Sequence, residues 1–587
     1  MTTNPLLSDR DVEFLLYEVH DIEALTKLPA FADHSRETFD LLLGSVRRLA
    51  REALFPAYRA MDIEPPVYFE GRMKTHPRMR ALYAQMSELG MIHAHRSPEV
   101  GGQSLPGTVY AMATAYLMAA NTTAYGYIGL TSGAAHLIEK FGSAELKTRF
   151  MEPMLQGRWT GTMALTEPQA GSSLSDVKTR ATPQQDGSHL LVGNKLFISG
   201  GDNDFAENIV HLTLARIDGA PAGTKGISLF AVPRLREQGA TLVDNDVAVA
   251  GAIHKLGARG IPSCVLNYGE RNDCRGWLVG EPHRGLASMF HMMNEARIMV
   301  GLGGAATASV AYQESLNYAK DRTQGRLASE KDPSKPPVAI IEHADVRRML
   351  LRQKAIVEGS LSLIVAVSKH ADSGGERSGL LVDLLTPVVK TFPAERGFEA
   401  NALAVQVHGG YGYSQDYLVE AWLRDQKLNS LHEGTTGIQS LDLLGRKVMQ
   451  GGGAGLKVFA EEVKATIDRA SGVEQAWCTA LQDALDDVIA ATMELGALGA
   501  GGNVEMMLRH SADYLEMFSI VVIGWQWLEQ ARVAKDALQR GSDAGFYQGK
   551  LAAAQYWTNT EVTRVRALAA LCRSGDDSYA RMQPSWF

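Results

Sequence analysis

Phe39, Leu42, Leu43, Val46 and Leu49 recur at steps of three and four with charged residues between them, the spacing of one apolar helix face. That texture runs from Asp9 to about Trp159 and predicts an N-terminal helical domain over 1–159. Val100-Gly101-Gly102-Gln103-Ser104-Leu105-Pro106 interrupts it, and the small residues from Thr108 to Ala120 then predict a helix packed closely on a neighbour. Near Gly161 the pattern shortens to β-rich runs, among them His189–Val192, Ile209–Leu214 and Ile227–Val232, divided by turn residues; a middle β domain over 160–284 is expected. Helical periodicity returns from Gly285 to about Val448, broken at Lys331-Asp332-Pro333-Ser334-Lys335-Pro336-Pro337, and predicts a second helical domain over 285–450. Gly451-Gly452-Gly453-Ala454-Gly455 is a flexible hinge or a tight turn. Beyond it, amphipathic stretches around Val488–Leu495 and Tyr514–Leu528 predict a further helical domain over 456–587.

A chain of 587 residues exceeds one hydrophobic core, in keeping with several domains. Lys plus Arg number 58 against 66 Asp plus Glu, a net charge of −8, which argues against a nucleic-acid partner because phosphate binding needs a basic surface. Cys264, Cys274, Cys478 and Cys572 lack CxxC spacing, so neither zinc nor a disulfide framework is indicated and no metal is expected. The first residues, Met1-Thr2-Thr3-Asn4-Pro5, do not open a signal peptide, and no apolar run reaches the length of a transmembrane segment. The expectation is a soluble protein of the reducing cytoplasm.

One carboxylate stands out. Glu433 lies in His432-Glu433-Gly434-Thr435-Thr436-Gly437, a glycine-rich bend ahead of the apolar helical run Ile438, Leu441, Leu443 and Leu444. Residue chemistry alone leaves two roles open: a general base reaching a ligand from a bare backbone, or a cap accepting N–H bonds from the helix behind it.

Four separated segments in order carry a resemblance to the acyl-CoA dehydrogenase family, covering roughly residues 35 to 450. Met163-Ala164-Leu165-Thr166-Glu167-Pro168-Gln169-Ala170-Gly171-Ser172 is similar to the family's Thr-Glu-Pro-x-Ala-Gly-Ser segment and is the most specific of them. Phe197-Ile198-Ser199-Gly200-Gly201 resembles the second flavin segment. Arg322-Thr323-Gln324-Gly325 resembles Arg-x-Gln-Phe-Gly with the Phe absent, and Gln406-Val407-His408-Gly409-Gly410 resembles the segment that reaches the adenosine half of FAD on the neighbouring subunit. Asn294 stands where the family commonly has Asp, with Arg297 in the family's arginine position; Arg424, Asp425 and Lys427 match an ion-pair brace.

The resemblance implies an α+β, acyl-CoA dehydrogenase fold: an N-terminal helical domain, a β-barrel, a four-helix bundle and, here, an extra C-terminal helical domain. It implies FAD held by Met163, Leu165, Thr166, Gly171, Ser172, Phe197, Ile198, Ser199, Arg322, Gln324, Gln406, Gly409, Gly410 and Thr435. It places an acyl-CoA substrate against Ser172, Asn294, Arg297, Glu433 and Gly434. Glu433 is then the base that takes a proton α to the thioester carbonyl while hydride leaves the β carbon, giving a trans-2-enoyl-CoA. His432 occupies a position where the family commonly has Tyr, and Gly437 replaces a common Gln, so the acyl pocket departs from the usual one. The long C-terminal region resembles the 3-methylmercaptopropionyl-CoA dehydrogenase-like group, which also handles medium- to long-chain fatty acyl-CoAs in β-oxidation. Electron-transfer flavoprotein as acceptor and a homodimer follow from the same resemblance. Three alternatives stand beside it: the sulfur-containing substrate itself, an acyl-CoA oxidase, and a non-catalytic DNA-binding relative, against which Glu433 and the net charge count.

Overall fold

Residues 4–470, 472–541 and 543–587 are described by the computed structural model, and their packing divides the chain into two units: His34–Ala296, and Met1–Asp33 together with Arg297–Phe587. The first unit begins with helices Arg36–Leu49, Phe55–Ile63, Met79–Glu88 and the 35-residue Gly107–Phe141. Ser35 starts the first of these with a capping box, its hydroxyl accepting from the Thr38 N–H while the Thr38 hydroxyl accepts from the Ser35 N–H. A short hairpin, Val67–Phe69 with Arg72–Lys74, interrupts the expected helical texture. Glu70 and Gly71 turn it with φ of 48° and 77°, the two positive values that a tight two-residue hairpin turn needs.

From Trp159 the chain enters an eight-stranded sheet. Its path runs Val247–Ala252, Ser263–Tyr268, His189–Ser199, Arg275–Leu278, Ile227–Pro233, Asn208–Ile217 and Trp159–Ala164, with Arg180–Pro183 pairing with both His189–Ser199 and Asn208–Ile217. Strand alternation sends Val210, Leu212 and Leu214 into a core with Ala134, Leu137 and Ile138 of the long helix. It sends Ala181, Leu191, Ile198, Phe230 and Cys264 into a second core. Gly161 makes the sheet-to-helix approach possible: a Cβ there would lie 2.5 Å from Ala134 Cβ.

In the second unit, helices Ala344–Ser373 and Gly375–His408 form an antiparallel pair. The helix Gly285–Asp321 contributes its residues after Ala296, and backbone meets backbone where Gly301 would place a Cβ 2.0 Å from Val389 O. Helices Ala454–Arg469, Gln475–Ala500, Ser511–Gln539, Ala544–Thr560 and Val565–Arg573 belong to the same unit. The glycine run is a tight turn rather than an extended hinge, with Gly451, Gly452 and Gly453 all left-handed. Trp527 Nε1 donates to Ala355 O at 3.1 Å, seating one C-terminal helix on the antiparallel pair. Residues 4–33 pack in this unit, whereas periodicity grouped the stretch from Asp9 with the first helical domain. Buried Lys550 explains why, bonding Asp11 as well as Glu358 at 2.7 Å and Gln530 at 2.9 Å.

Among the described residues, no helix is long and apolar enough to cross a membrane and no cluster of His, Cys, Asp or Glu is arranged to hold a metal ion.

Candidate active site

In the first unit, strand Trp159–Ala164 runs out into Leu165-Thr166-Glu167, and the backbones of Glu167 and Ala170 exchange two bonds of 3.0 Å that close a tight loop. The Glu167 side chain turns inward. It accepts from Lys195 Nζ at 2.8 Å, the Lys178 N–H at 2.7 Å, the Thr179 N–H at 3.1 Å and the Thr179 hydroxyl at 2.5 Å. Lys195 also donates to Leu165 O at 3.0 Å and Leu214 O at 2.7 Å. Burial opposes the Glu167 charge, yet Lys195 and these donors outweigh it and hold the carboxyl below its usual range; burial also lowers Lys195 to about 8. Glu167 is thus the internal brace of the loop. It leaves Met163, Leu165 and Thr166 half-buried and Gly171 and Ser172 exposed.

The second expected segment adjoins the first, since the Leu196 N–H donates to Thr166 O at 2.9 Å. Cys264 pairs with Ile198 and Leu266 with Lys195, so Leu196 and Phe197 bulge opposite a single residue. Phe197 takes φ of 60° and leaves 56% of its surface exposed. A bulky residue held left-handed with its ring in solvent is strained in a way characteristic of a ligand platform. Ser199 is half-buried beside it, while Ile198 turns into the second core, leaving its backbone as the part able to meet a ligand. Asn294 is half-buried; its neighbour Glu295 engages His136 at 3.2 Å and Arg96 at 3.5 Å.

In the second unit, the capping role left open for Glu433 is taken by its neighbour. Thr435 caps the helix Thr436–Asp442, its hydroxyl accepting from the Ile438 N–H at 3.3 Å. The Glu433 carboxylate is therefore spared that task and is exposed, on a bend where Glu433 and Gly434 take φ of 52° and 86°. Gln439 Nε2 donates to Glu433 O at 2.9 Å and Gly434 O at 3.4 Å, and the Thr436 hydroxyl donates to Glu395. His432 Nδ1 must carry hydrogen to meet Leu428 O at 2.8 Å; desolvation holds its pKa down, so Nε2 is left as an acceptor. Arg297 is buried and pairs with Asp442 at 2.6 Å, its Nε unpartnered, and Arg424 pairs with Glu420 at 2.8 Å.

Arg322, Gln324, Gly409 and Gly410 converge on a groove of about 580 Å³, lined also by Tyr318, His408, Tyr411, Ser414 and Asp416. The Arg322–Gln324 segment is fixed by Ile340 N–H to Arg322 O at 2.8 Å and Gln324 N–H to Val338 O at 3.0 Å. Gly409 turns the helix end with φ of 60°, and the space beside Gly409 and Gly410 is open. His408 stacks on Tyr318 at 4.2 Å and donates Nδ1–H to Ala404 O at 2.8 Å, leaving a buried, unpartnered Nε2. An exposed arginine on a backbone held in place, a bare glycine backbone, exposed Tyr411 and an orphaned acceptor suit a phosphate and a flat aromatic base. Gln406 is exposed on the last helical turn and does not line the groove.

Sequence reasoning did not single out Lys195, Gln439, Tyr318, His408 or Asp416. Lys195 carried a usable signal, because it shares the inward parity of Leu191 along one strand.

Four family models match the chain in order: the N-terminal domain of acyl-CoA dehydrogenase at 36–158, its middle domain at 162–269, its C-terminal domain at 283–449, and an acetyl-CoA dehydrogenase C-terminal-like domain at 459–583. Among curated proteins, 3-methylmercaptopropionyl-CoA dehydrogenase of Ruegeria pomeroyi is 36% identical, with 93% of this chain and 94% of that one aligned. The broad-specificity linear acyl-CoA dehydrogenase FadE5 of Mycobacterium tuberculosis is 35% identical over 93% of this chain and 94% of its own length. Among solved structures, Caenorhabditis elegans ACDH-11 in complex with C11-CoA superposes with a TM-score of 0.77 at 18% identity, covering 97% of this chain and 95% of that one.

Proposed function

Because the chain belongs to the acyl-CoA dehydrogenase family, whose members are FAD-dependent oxidoreductases, we propose that it dehydrogenates the Cα–Cβ bond of an acyl-CoA thioester, with Glu433 as base. The observation that carries this reading is the exposed Glu433 carboxylate on a left-handed bend whose helix is capped by Thr435 instead. Glu433 takes the α proton. As the thioester carbonyl oxygen gains negative charge, the Glu433 N–H is a donor for it, and Gly434 keeps the backbone there free of a side chain. Gln439 holds the carbonyls of both residues and so sets where the carboxylate starts.

When bound, FAD supplies the hydride acceptor. Its binding residues on this reading are Met163, Leu165, Thr166, Gly171, Ser172, Phe197, Ser199 and the Ile198 backbone, with Arg322, Gln324, Gln406, Gly409, Gly410 and Thr435. The exposed Phe197 ring on its left-handed backbone and the Arg322 groove fit it. Ser172, Asn294, Arg297, Glu433 and Gly434 are assigned to the thioester.

The substrate we infer is a medium- to long-chain fatty acyl-CoA in β-oxidation; the Mycobacterium relative, named a broad-specificity linear acyl-CoA dehydrogenase, supports a linear acyl chain. 3-Methylmercaptopropionyl-CoA is the second reading, favoured by the Ruegeria relative. Electron-transfer flavoprotein is the proposed acceptor. A homodimer is the proposed assembly, in which the groove at Arg322 receives the adenosine half of the partner's flavin.

An anaerobic titration with a ladder of straight-chain acyl-CoAs and 3-methylmercaptopropionyl-CoA, following flavin absorbance, tests this. Bleaching ranks the substrates, and Glu433→Gln should stay yellow while still binding thioester. Turnover by Glu433→Gln would overturn the assignment of the base.

A further inference from the structure

The helix behind the base bend, Thr436–Asp442, has seven residues, too few to hold a position by itself, so its anchors decide where Glu433 starts. Gln439, on that helix, holds the Glu433 and Gly434 carbonyls. The next residue, Ser440, is buried and donates its hydroxyl hydrogen to Gly437 O at 2.8 Å. Ser440 Oγ also lies 3.1 Å from Ser511 Oγ. A hydroxyl carries one hydrogen, and that of Ser440 is committed to Gly437, so Ser511 is the donor and Ser440 the acceptor. Buried Ser511 opens the helix Ser511–Gln539, which lies in the region matched by the C-terminal-like model at 459–583. The hydrogen bonds therefore run in one direction, from that region through Ser440 into the helical turn that follows the base.

Ser511 is itself held in place. His510 lies with Nδ1 3.1 Å from Asp513 Oδ2 and Nε2 3.0 Å from Asp576 O, and Arg509 donates to Gly575 O at 2.9 Å. Leu508, just ahead of them, comes within 3.3 Å of where a Cβ on Gly445 would lie, so the same segment packs beyond the end of the base helix. Packing alone does not call for hydroxyls at 440 and 511, since two apolar groups of that size would meet there at little cost. What the hydroxyl pair adds is a fixed direction and separation between the two helices. We propose that Ser511 is a positioning residue for the base, acting through Ser440 on the helix whose Gln439 holds the Glu433 carbonyl. The C-terminal helices are then part of the apparatus that sets the carboxylate against the thioester. The proposal rests on Glu433 being the base.

The test uses the full-length, FAD-loaded enzyme and the thioester that bleaches the wild-type flavin fastest. Wild type, Ser511→Ala, Ser440→Ala, the double variant and Glu433→Gln are compared by flavin content, melting temperature and the rate of anaerobic bleaching against thioester concentration. Ser511→Ala should keep full flavin content, the wild-type half-saturating concentration and a melting temperature within about 2 °C of wild type. Its limiting rate should fall about 3–10-fold, the worth of one hydrogen bond lost from the reacting geometry. Ser440→Ala breaks the same chain and should lose about as much, and the double variant should lose no more than the slower single variant. A wild-type limiting rate in Ser511→Ala overturns the proposal, as do losses that multiply in the double variant. A slower rate accompanied by lower flavin content and a lower melting temperature also overturns it, because that marks plain packing. Failure of the underlying reading is distinct: bleaching that persists in Glu433→Gln, or no bleaching of wild type by any thioester.

Discussion

Lys195 Nζ lies 2.8 Å from Glu167 Oε1, with 0% and 3% of their side chains exposed. The glutamate of the segment that most strongly marks the family therefore faces the protein interior, and what it presents to a ligand is the shape of the loop around it. Removing one member of a buried pair strands the other. Lys195→Met should cost about 3–5 kcal/mol of stability and release flavin on gel filtration. Glu167→Gln combined with Lys195→Met should recover part of that loss, because no unpaired charge remains. Urea denaturation and flavin absorbance per protein check both; a single variant as stable as the wild type would show that the pair does not brace the loop.

The sheet carries an acid-sensitive point. His211, on strand Asn208–Ile217, pairs with Thr162 of the neighbouring strand Trp159–Ala164, its Nδ1 2.7 Å from the Thr162 hydroxyl and its Nε2 unpartnered. Burial, with a smaller push from Arg234, lowers it to about 3. In the unfolded chain it titrates near its ordinary value, so below about pH 6.5 the unfolded state takes up a proton that the folded state refuses, and stability falls with falling pH by up to about 1.4 kcal/mol per unit. His20 and His95 are lowered to about 3 for the same first reason, burial. The melting temperature should drop between pH 7 and pH 5. In His211→Leu that drop should be smaller, by an amount equivalent to about 2 kcal/mol. An equal drop in both proteins would rule out His211 as a source.

Helix, sheet and helix were legible because the period of apolar residues changes where the architecture does: Ile209–Leu214 and Ile227–Val232 lie within strands Asn208–Ile217 and Ile227–Pro233. The hairpin at Val67–Phe69 was not, since its three residues are all exposed and its pairing is too short to impose a pattern. Nor could periodicity show where the N-terminal segment packs. That depends on Lys550 meeting Asp11, a contact 539 residues apart in sequence. Glu433 stood out because a glycine follows it, but the role of Thr435 as cap became visible only with the helix start in view. The parity of Lys195 marks it as inward but does not name Glu167 as its partner, and Gln439 gives no sign in sequence that its amide turns back onto the bend.

The base bend depends on the absence of a side chain at Gly434. Its φ of 86° is unfavourable for any other residue, and an added Cβ would lie 2.7 Å from Gln439 Nε2. Gly434→Ala should push that amide off the Glu433 carbonyl and misplace the carboxylate. Flavin content should be unchanged and flavin reduction slower by about 10–100-fold, since small misplacements at a reacting centre cost that much. Stopped-flow bleaching under saturating thioester measures it, and a wild-type rate would mean that the bend tolerates the displacement.

Arg322 and Glu433 make opposite demands on an experiment: the first is assigned to holding a cofactor, the second to chemistry. Arg322 is exposed and its backbone, not its guanidinium, is fixed by Ile340. Arg322→Met should therefore leave the melting temperature of flavin-free protein unchanged while lowering flavin retention about tenfold, the loss expected of one charge-assisted phosphate contact. If the groove serves a neighbouring subunit's flavin, retention must also depend on protein concentration, because ligand binding and assembly are then linked. Dilution should release flavin in step with dissociation of the dimer seen by light scattering, and Arg322→Met should shift both to higher concentration. Flavin loss that is independent of dilution would place the whole cofactor within one chain and remove the reason for proposing a dimer on this surface.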